Sequence, residues 1–261
     1  MGERLVPVQP SSSRGNSGQT LRLFGLFMLA AGVVGQSILY NKIIGGATTL
    51  ADLEKVLGTN AGIGIAALVC MLVYTCAVPL FAFLLVEGLK HTSHFGKYFL
   101  RVFGLAVACE IPYDLAMSGK VFHWYSQNPV LGIVLCMVMY YFFNYYQGKS
   151  FKSVAISTLV VVMAFLWGGL LRIEEGQPLV LIFTGLWFCR KKKMLQTIVG
   201  CVITCLCSSL RAENITYFFA PMVFLFIHFY NEEPGEGNRI FNYVAYPAVL
   251  VACWLIGTFA F

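Results

Sequence analysis

Between Tyr74 and Ala116, four ionisable residues stand in otherwise apolar sequence: Glu87, Arg101, Glu110 and Asp114. A charge at hydrocarbon depth costs about 3 kcal/mol or more, so such groups face a partner or a cavity. Glu110 and Asp114 are four residues apart, about 40° around a helix, and share one face. Such a pair can hold one proton between them, an acid beside a base. Arg101 is nine residues from Glu110, about 180° around a straight helix, so it serves Glu110 only if Pro112 bends the helix. Other partners for the two carboxylates are Arg172, Lys120 and the hydroxyls of Tyr140, Tyr141, Tyr145 and Tyr146. Glu87 and Arg101 flank a polar turn, His91 to Lys97, and an ion pair between them is the plain expectation. The functional alternative gives Arg101 an anionic or carbonyl oxygen to hold. His91 and His94 in that turn, and His228 later, are the imidazoles best placed as general bases; a loop histidine is otherwise only solvated. Glu174 and Glu175, in RIEEGQP, read as a solvated cap.

The elements that must position these groups are helices in a bilayer. The chain has 261 residues, 58% hydrophobic and 11% charged, against about 25% charged in soluble domains. Its apolar runs are long and continuous, which excludes a membrane barrel of alternating strands. The expected fold is all-α: a polytopic transmembrane helical bundle of about nine spans (8–10). The spans fall near 21–41, 61–89, 98–118, 129–147, 153–171, 178–189, 194–210, 215–230 and 240–261. The sixth is short: it is too short to cross, re-entrant, or extended through Leu170 to Gln177 around a bend. Residues 1–20, rich in Ser and Gly, read as a disordered tail, and 21–261 as a single transmembrane domain. Thr49 and Asp52 start, and Gly58 stops, a short helix on the outer surface.

With nine crossings and the amino terminus inside, 13 of 18 basic residues fall on the inner side. That bias predicts a multi-pass cell-membrane protein with a cytoplasmic amino terminus and an external carboxyl terminus. The nine cysteines lie in apolar runs without metal-ligand spacing and read as small buried hydrophobes. No metal is expected. The net charge of +6 follows topology, so no nucleic-acid partner is expected. RKKK at 190–193 reads as a stop-transfer anchor, or else as a docking patch for a phosphorylated ligand.

The central stretch resembles the TraX family, membrane proteins linked to amino-terminal acetylation of F-type pilin. The resemblance rests on PLFAFLLVEG (79–88), His91-Thr92, Lys97-Tyr98 with Arg101, and EIPYDLA (110–116), with Gln127-Asn128 as a weaker echo. That family is similar in turn to membrane acyltransferases with cytosolic acyl donors. The resemblance implies transfer of acetyl from acetyl-CoA to an amine or hydroxyl acceptor, a protein or small molecule. It points to Glu87, His91, Arg101, Glu110 and Asp114 as catalytic, with Lys90, Lys97 and Arg101 meeting the CoA phosphates. The chain departs from the family where an aspartate–histidine pair usually follows the methionine-led run of the first span. Here that run is Met28-Leu29-Ala30-Ala31-Gly32. A terminal tyrosine-proline-x-histidine becomes Tyr246-Pro247-Ala248-Val249, and an aspartate-tyrosine-glycine element survives as Glu174-Glu175-Gly176. These losses keep open a second class: a non-catalytic relative acting as scaffold, binding protein or permease.

Overall fold

The computed structural model describes residues 15–43, 50–148, 150–210, 216–233, 235 and 237–260, without the side chains of 50–60 and 239. Apolar runs with few interruptions give helices throughout. They are α1 (Gly18–Val33), α2 (Leu50–Lys90), α3 (Phe95–Ser118), α4 (Val130–Tyr145), α5 (Phe151–Leu170), α6 (Gly176–Phe188), α7 (Lys193–Cys207), α8 (Val223–His228) and α9 (Arg239–Phe259). A π-helical stretch, Val34–Ile43, continues α1, and a 3-10 turn, Ala220–Met222, leads into α8. Among the described residues, four segments are long and apolar enough to cross a membrane: Gly18–Ile43, Ala61–Lys90, Phe151–Leu170 and Ile240–Phe259. Large apolar side chains such as Leu100, Val107, Leu159, Leu170, Leu225 and Ile256 point outward, as a bundle solvated by lipid requires. The structure is a helical membrane bundle.

Loops gather at two ends. At one, Ser17 caps α1, and Asn16 pairs with the chain at Tyr230. Lys193 Nζ donates to the Tyr230 carbonyl at 2.8 Å, which brings the α6–α7 turn to the same end. At the other end the α3–α4 loop pairs with the α5–α6 turn, since Gln127 and Arg172–Glu174 exchange two backbone hydrogen bonds of 2.9 Å. Asn41, after α1, donates to the Met117 carbonyl there at 2.8 Å.

One expectation changes, and the reading of the sixth span as short holds. The chain does not stop at Gly58; α2 runs unbroken from Leu50, because one glycine costs a helix only about 1 kcal/mol. Thr49, its expected start, lies outside the described residues. The sixth span is a separate helix of 13 residues, about 20 Å long, set off by the turn at 171–175. Nine of its residues are buried, so other helices, not lipid, surround most of it. Gly168 of α5 and Gly176 of α6 let the two backbones meet; a Cβ on Gly168 would lie 3.3 Å from the Gly176 carbonyl carbon.

Candidate functional site

The residues singled out from sequence fall at the two ends of the bundle. At the Tyr230 end, Glu87 takes Lys90 Nζ at 2.5 Å and His91 Nε2 at 3.7 Å. The expected Glu87–Arg101 pair does not form. Lys90 and His91 are three and four residues from Glu87 at the same helix end and reach it first. Arg101 and Lys97, on α3, are exposed.

Glu110 and Asp114 lie toward the other end, on one face of α3 as their spacing predicts. Asn128, fully buried, donates from its amide to Glu110 Oε2 and to the Ala106 carbonyl. Asp114, 2% exposed, accepts from the His123 backbone N–H at 2.8 Å. Neither carboxylate uses Lys120, Arg172 or Tyr140, Tyr141, Tyr145 and Tyr146. These tyrosines close α4 at the far end, where Tyr140 packs on Phe95. Glu110 Oε1 and Asp114 Oδ1 are buried without a hydrogen-bond partner.

Beside this pair, at the same end, is a cavity of about 520 Å³. α1 and its π-helical extension contribute Gln36, α2 contributes Tyr74 and Thr75, and α9 contributes Tyr246. The floor is the α5–α6 turn, Arg172 to Gln177. Two non-glycine residues of this turn, Arg172 (φ 53°) and Glu175 (φ 56°), adopt left-handed backbone, which costs on the order of 1–3 kcal/mol each and persists where surroundings enforce it. The surroundings are polar. Tyr113 donates to Glu174 Oε2 at 2.5 Å, and Tyr217 to Glu175 Oε2 at 2.6 Å. Tyr74 lines the same cavity as Glu174. The Arg172 guanidinium sits 5.0 Å over the Tyr125 ring. Burial pushes the Glu174 carboxyl up from the ordinary glutamate range, and the Tyr113 and Tyr74 hydroxyls offset part of the rise. Among the described residues Tyr246 is 5% exposed and its hydroxyl, in the cavity wall, has no hydrogen-bond partner. It stands within electrostatic reach of both Glu174 and Glu110, so it joins the cavity to the pair on α3.

None of Glu87, Lys90, His91, Lys97, Arg101, Glu110, Asp114 or His228 lines the cavity. The wall is built instead from the turn read as a solvated cap and from tyrosines. Three charges between two apolar runs, in RIEEGQP, were a signal of the same kind as the one that drew attention to α3. Where the first-span run places Gly32, the Tyr74 ring fills the space a side chain would take.

The arrangement offers a carboxylate raised toward neutrality, a cation at the rim and an uncommitted hydroxyl. That set can accept a proton and stabilise a developing oxyanion. Among the described residues no cluster of three metal-ligating side chains occurs. A protein-family model described as TraX protein matches residues 46–257. No curated protein and no solved structure matches the chain.

Proposed function

The chain belongs to the TraX family, and on that premise we propose that it is a membrane acyltransferase whose transfer site is the cavity over the α5–α6 turn. The reaction moves acetyl from acetyl-CoA to an amine or hydroxyl acceptor. The observation that carries this reading is Glu174, a carboxylate held by Tyr113 and facing a polar cavity. The acceptor nitrogen or oxygen attacks the thioester carbonyl and passes its proton to Glu174. Arg172 and the free hydroxyl of Tyr246 steady the oxyanion. The C–S bond then breaks, and the departing thiolate takes up the proton. A general base placed in this way contributes about 10²–10⁴-fold.

Charge divides the donor from the acceptor. Glu174 and Glu175 repel the phosphates of CoA, whereas Lys97 and Arg101, exposed at the other end, attract them. Sixteen residues of α3, about 24 Å of helix, separate Lys97 from Tyr113. Acyl transfer therefore requires a passage to open between the helices. With the amino terminus cytoplasmic, as the basic bias predicts, the donor enters from the cytosol and the acceptor from outside. Lys90 adds to the donor side only after leaving Glu87.

The separation of the basic residues from the cavity favours a second reading, a non-catalytic TraX relative that binds a polar ligand in the cavity. Purified protein with acetyl-labelled acetyl-CoA decides between them, followed by thiol release and by mass spectrometry of any co-purifying acyl donor. Turnover that falls at least 100-fold in Glu174→Gln supports transfer. No donor bound and no thiol released by the wild type supports the binding protein.

A further inference from the structure

At the end of the bundle opposite the cavity, three segments carry only basic charge. Segments 91–98, 150–154 and 186–196 hold Lys97, Lys152 and Arg190 to Lys193, and together with the uncharged 140–148 they contain no Asp or Glu. Packing brings these helix ends together: Phe95 lies 5.2 Å from Tyr140, Tyr140 5.0 Å from Trp187, and Phe143 5.1 Å from Phe188, between ring centroids. The α4–α5 and α6–α7 turns are therefore neighbours. Arg190 is fixed there, with its guanidinium 3.7 Å over the Trp187 ring and Nη1 donating to the Trp187 carbonyl at 2.7 Å. Lys152, Lys191 and Lys192 are exposed. The ion pairs among the described residues both belong to Glu87, so Lys97, Lys152 and Arg190 to Lys193 make none.

Apolar side chains frame the same cations. Phe151 is 90% exposed, Met194 68% and Phe188 56%. The close approach of Gly168 and Gly176 fixes the antiparallel register of α5 and α6. In that register Arg190 falls level with Val154, about one helical turn inside the start of α5. In the same register Phe188 lies deeper in the bundle than Arg190, and Phe151 about one turn nearer its end.

We propose that this end is a binding site for an anionic phospholipid. Its phosphate sits among Lys152, Arg190 and Lys191, its acyl chains lie over Phe188, and Phe151 packs at the headgroup. A soluble polyanion would meet the cations but leave the rings bare, whereas a lipid satisfies both. Each basic group near an anionic bilayer surface contributes about fivefold to association, so removing three lowers it about 100-fold.

The test uses the purified full chain in nanodiscs of phosphatidylcholine, with and without phosphatidylglycerol. Phosphatidylglycerol is expected to raise the thermal midpoint and to remain bound in native mass spectra after delipidation, and phosphatidylcholine to do neither. The triple variant Lys152→Gln, Arg190→Gln, Lys191→Gln is expected to lose that retention about 100-fold. Because Arg190 packs on Trp187, the pair Lys152→Gln, Lys191→Gln serves as a second variant with intact packing, expected to lose about 25-fold. Equal retention of the two lipids, or undiminished retention in both variants, overturns the proposal. So does displacement of the bound lipid by acetyl-CoA or inorganic pyrophosphate, which would assign the patch to a soluble phosphate.

Discussion

The Tyr113 hydroxyl donates to Glu174 Oε2 at 2.5 Å, tying the last third of α3 to the turn between α5 and α6. Ser126 joins at 2.8 Å from the same hydroxyl. Tyr246, across the cavity, carries a hydroxyl that the fold does not use. The two tyrosines should therefore respond differently to loss of oxygen. Tyr113→Phe removes a bond to a carboxylate, worth about 1.5–3 kcal/mol, and the thermal midpoint falls. Tyr246→Phe removes no bond made by the protein, so the midpoint holds within about 0.5 kcal/mol, while turnover or ligand capture in the cavity drops at least tenfold. Parallel thermal unfolding and activity measurements check this. A midpoint that falls equally in both variants would make Tyr246 a structural group.

Glu174 gives the protein a pH dependence of definite sign. Burial raises its carboxyl in the fold, so the folded state holds the proton more tightly than the unfolded chain. The resulting stability is fully present below the ordinary glutamate range, and it is lost as pH rises through the folded value. Thermal midpoints across mildly acidic to neutral pH should fall in the wild type. Glu174→Gln should lack that part of the slope, and a slope unchanged in the variant would remove Glu174 as its source.

Much of the bundle was legible before any coordinates, because lipid forces long apolar runs into helices and leaves their boundaries at polar breaks. The expected span at 98–118 is α3, and 178–189 is α6, short as read. The continuity of α2 through Gly58 was not legible, since a glycine marks a stop only when no packing or length of helix opposes it. The site was half legible. The spacing of Glu110 and Asp114 put them on one face, but their partners, Asn128 and the His123 backbone, come from a loop that no periodicity describes. The turn between Glu87 and Arg101 suggests a pair, whereas Glu87 finds Lys90 along its own helix. Glu174 and Glu175 looked solvated because they follow a span. What draws them inward is the pairing of their turn with Gln127 and the tyrosines Tyr113 and Tyr217, a relationship between segments far apart in sequence.

Gly32 sets the position of Tyr74. A Cβ there would collide with the Tyr74 ring, and that ring lines the same cavity as Glu174. Gly32→Ala should cost about 1–3 kcal/mol as an overpacked contact, and it should pull the Tyr74 hydroxyl away from the carboxylate. Gly32→Ala combined with Tyr74→Leu, which clears the ring, should recover most of the stability but not the cavity's activity. Thermal unfolding of both variants tests the steric account. A single variant as stable as the wild type would sink it.

The Glu110–Asp114 pair on α3 makes a prediction opposite to that for a useful ion pair. Glu110 Oε1 and Asp114 Oδ1 have no partner, and among the described residues neither carboxylate meets a cationic side chain. An unpaired charge in such a setting destabilises the fold that contains it. Replacing either group by its amide keeps the acceptor oxygen that Asn128 or the His123 N–H uses, and it removes the charge. Glu110→Gln and Asp114→Asn should therefore unfold at a temperature equal to or above the wild type. Alanine at either position strands the donors of Asn128 or His123 and should cost about 1–3 kcal/mol. If the carboxylates serve the cavity through Tyr246, the stabilised amide variants will be the less active ones. Amides that unfold earlier than the wild type would mean that the orphan oxygens hold a cation, and added monovalent salt would then protect only the wild type.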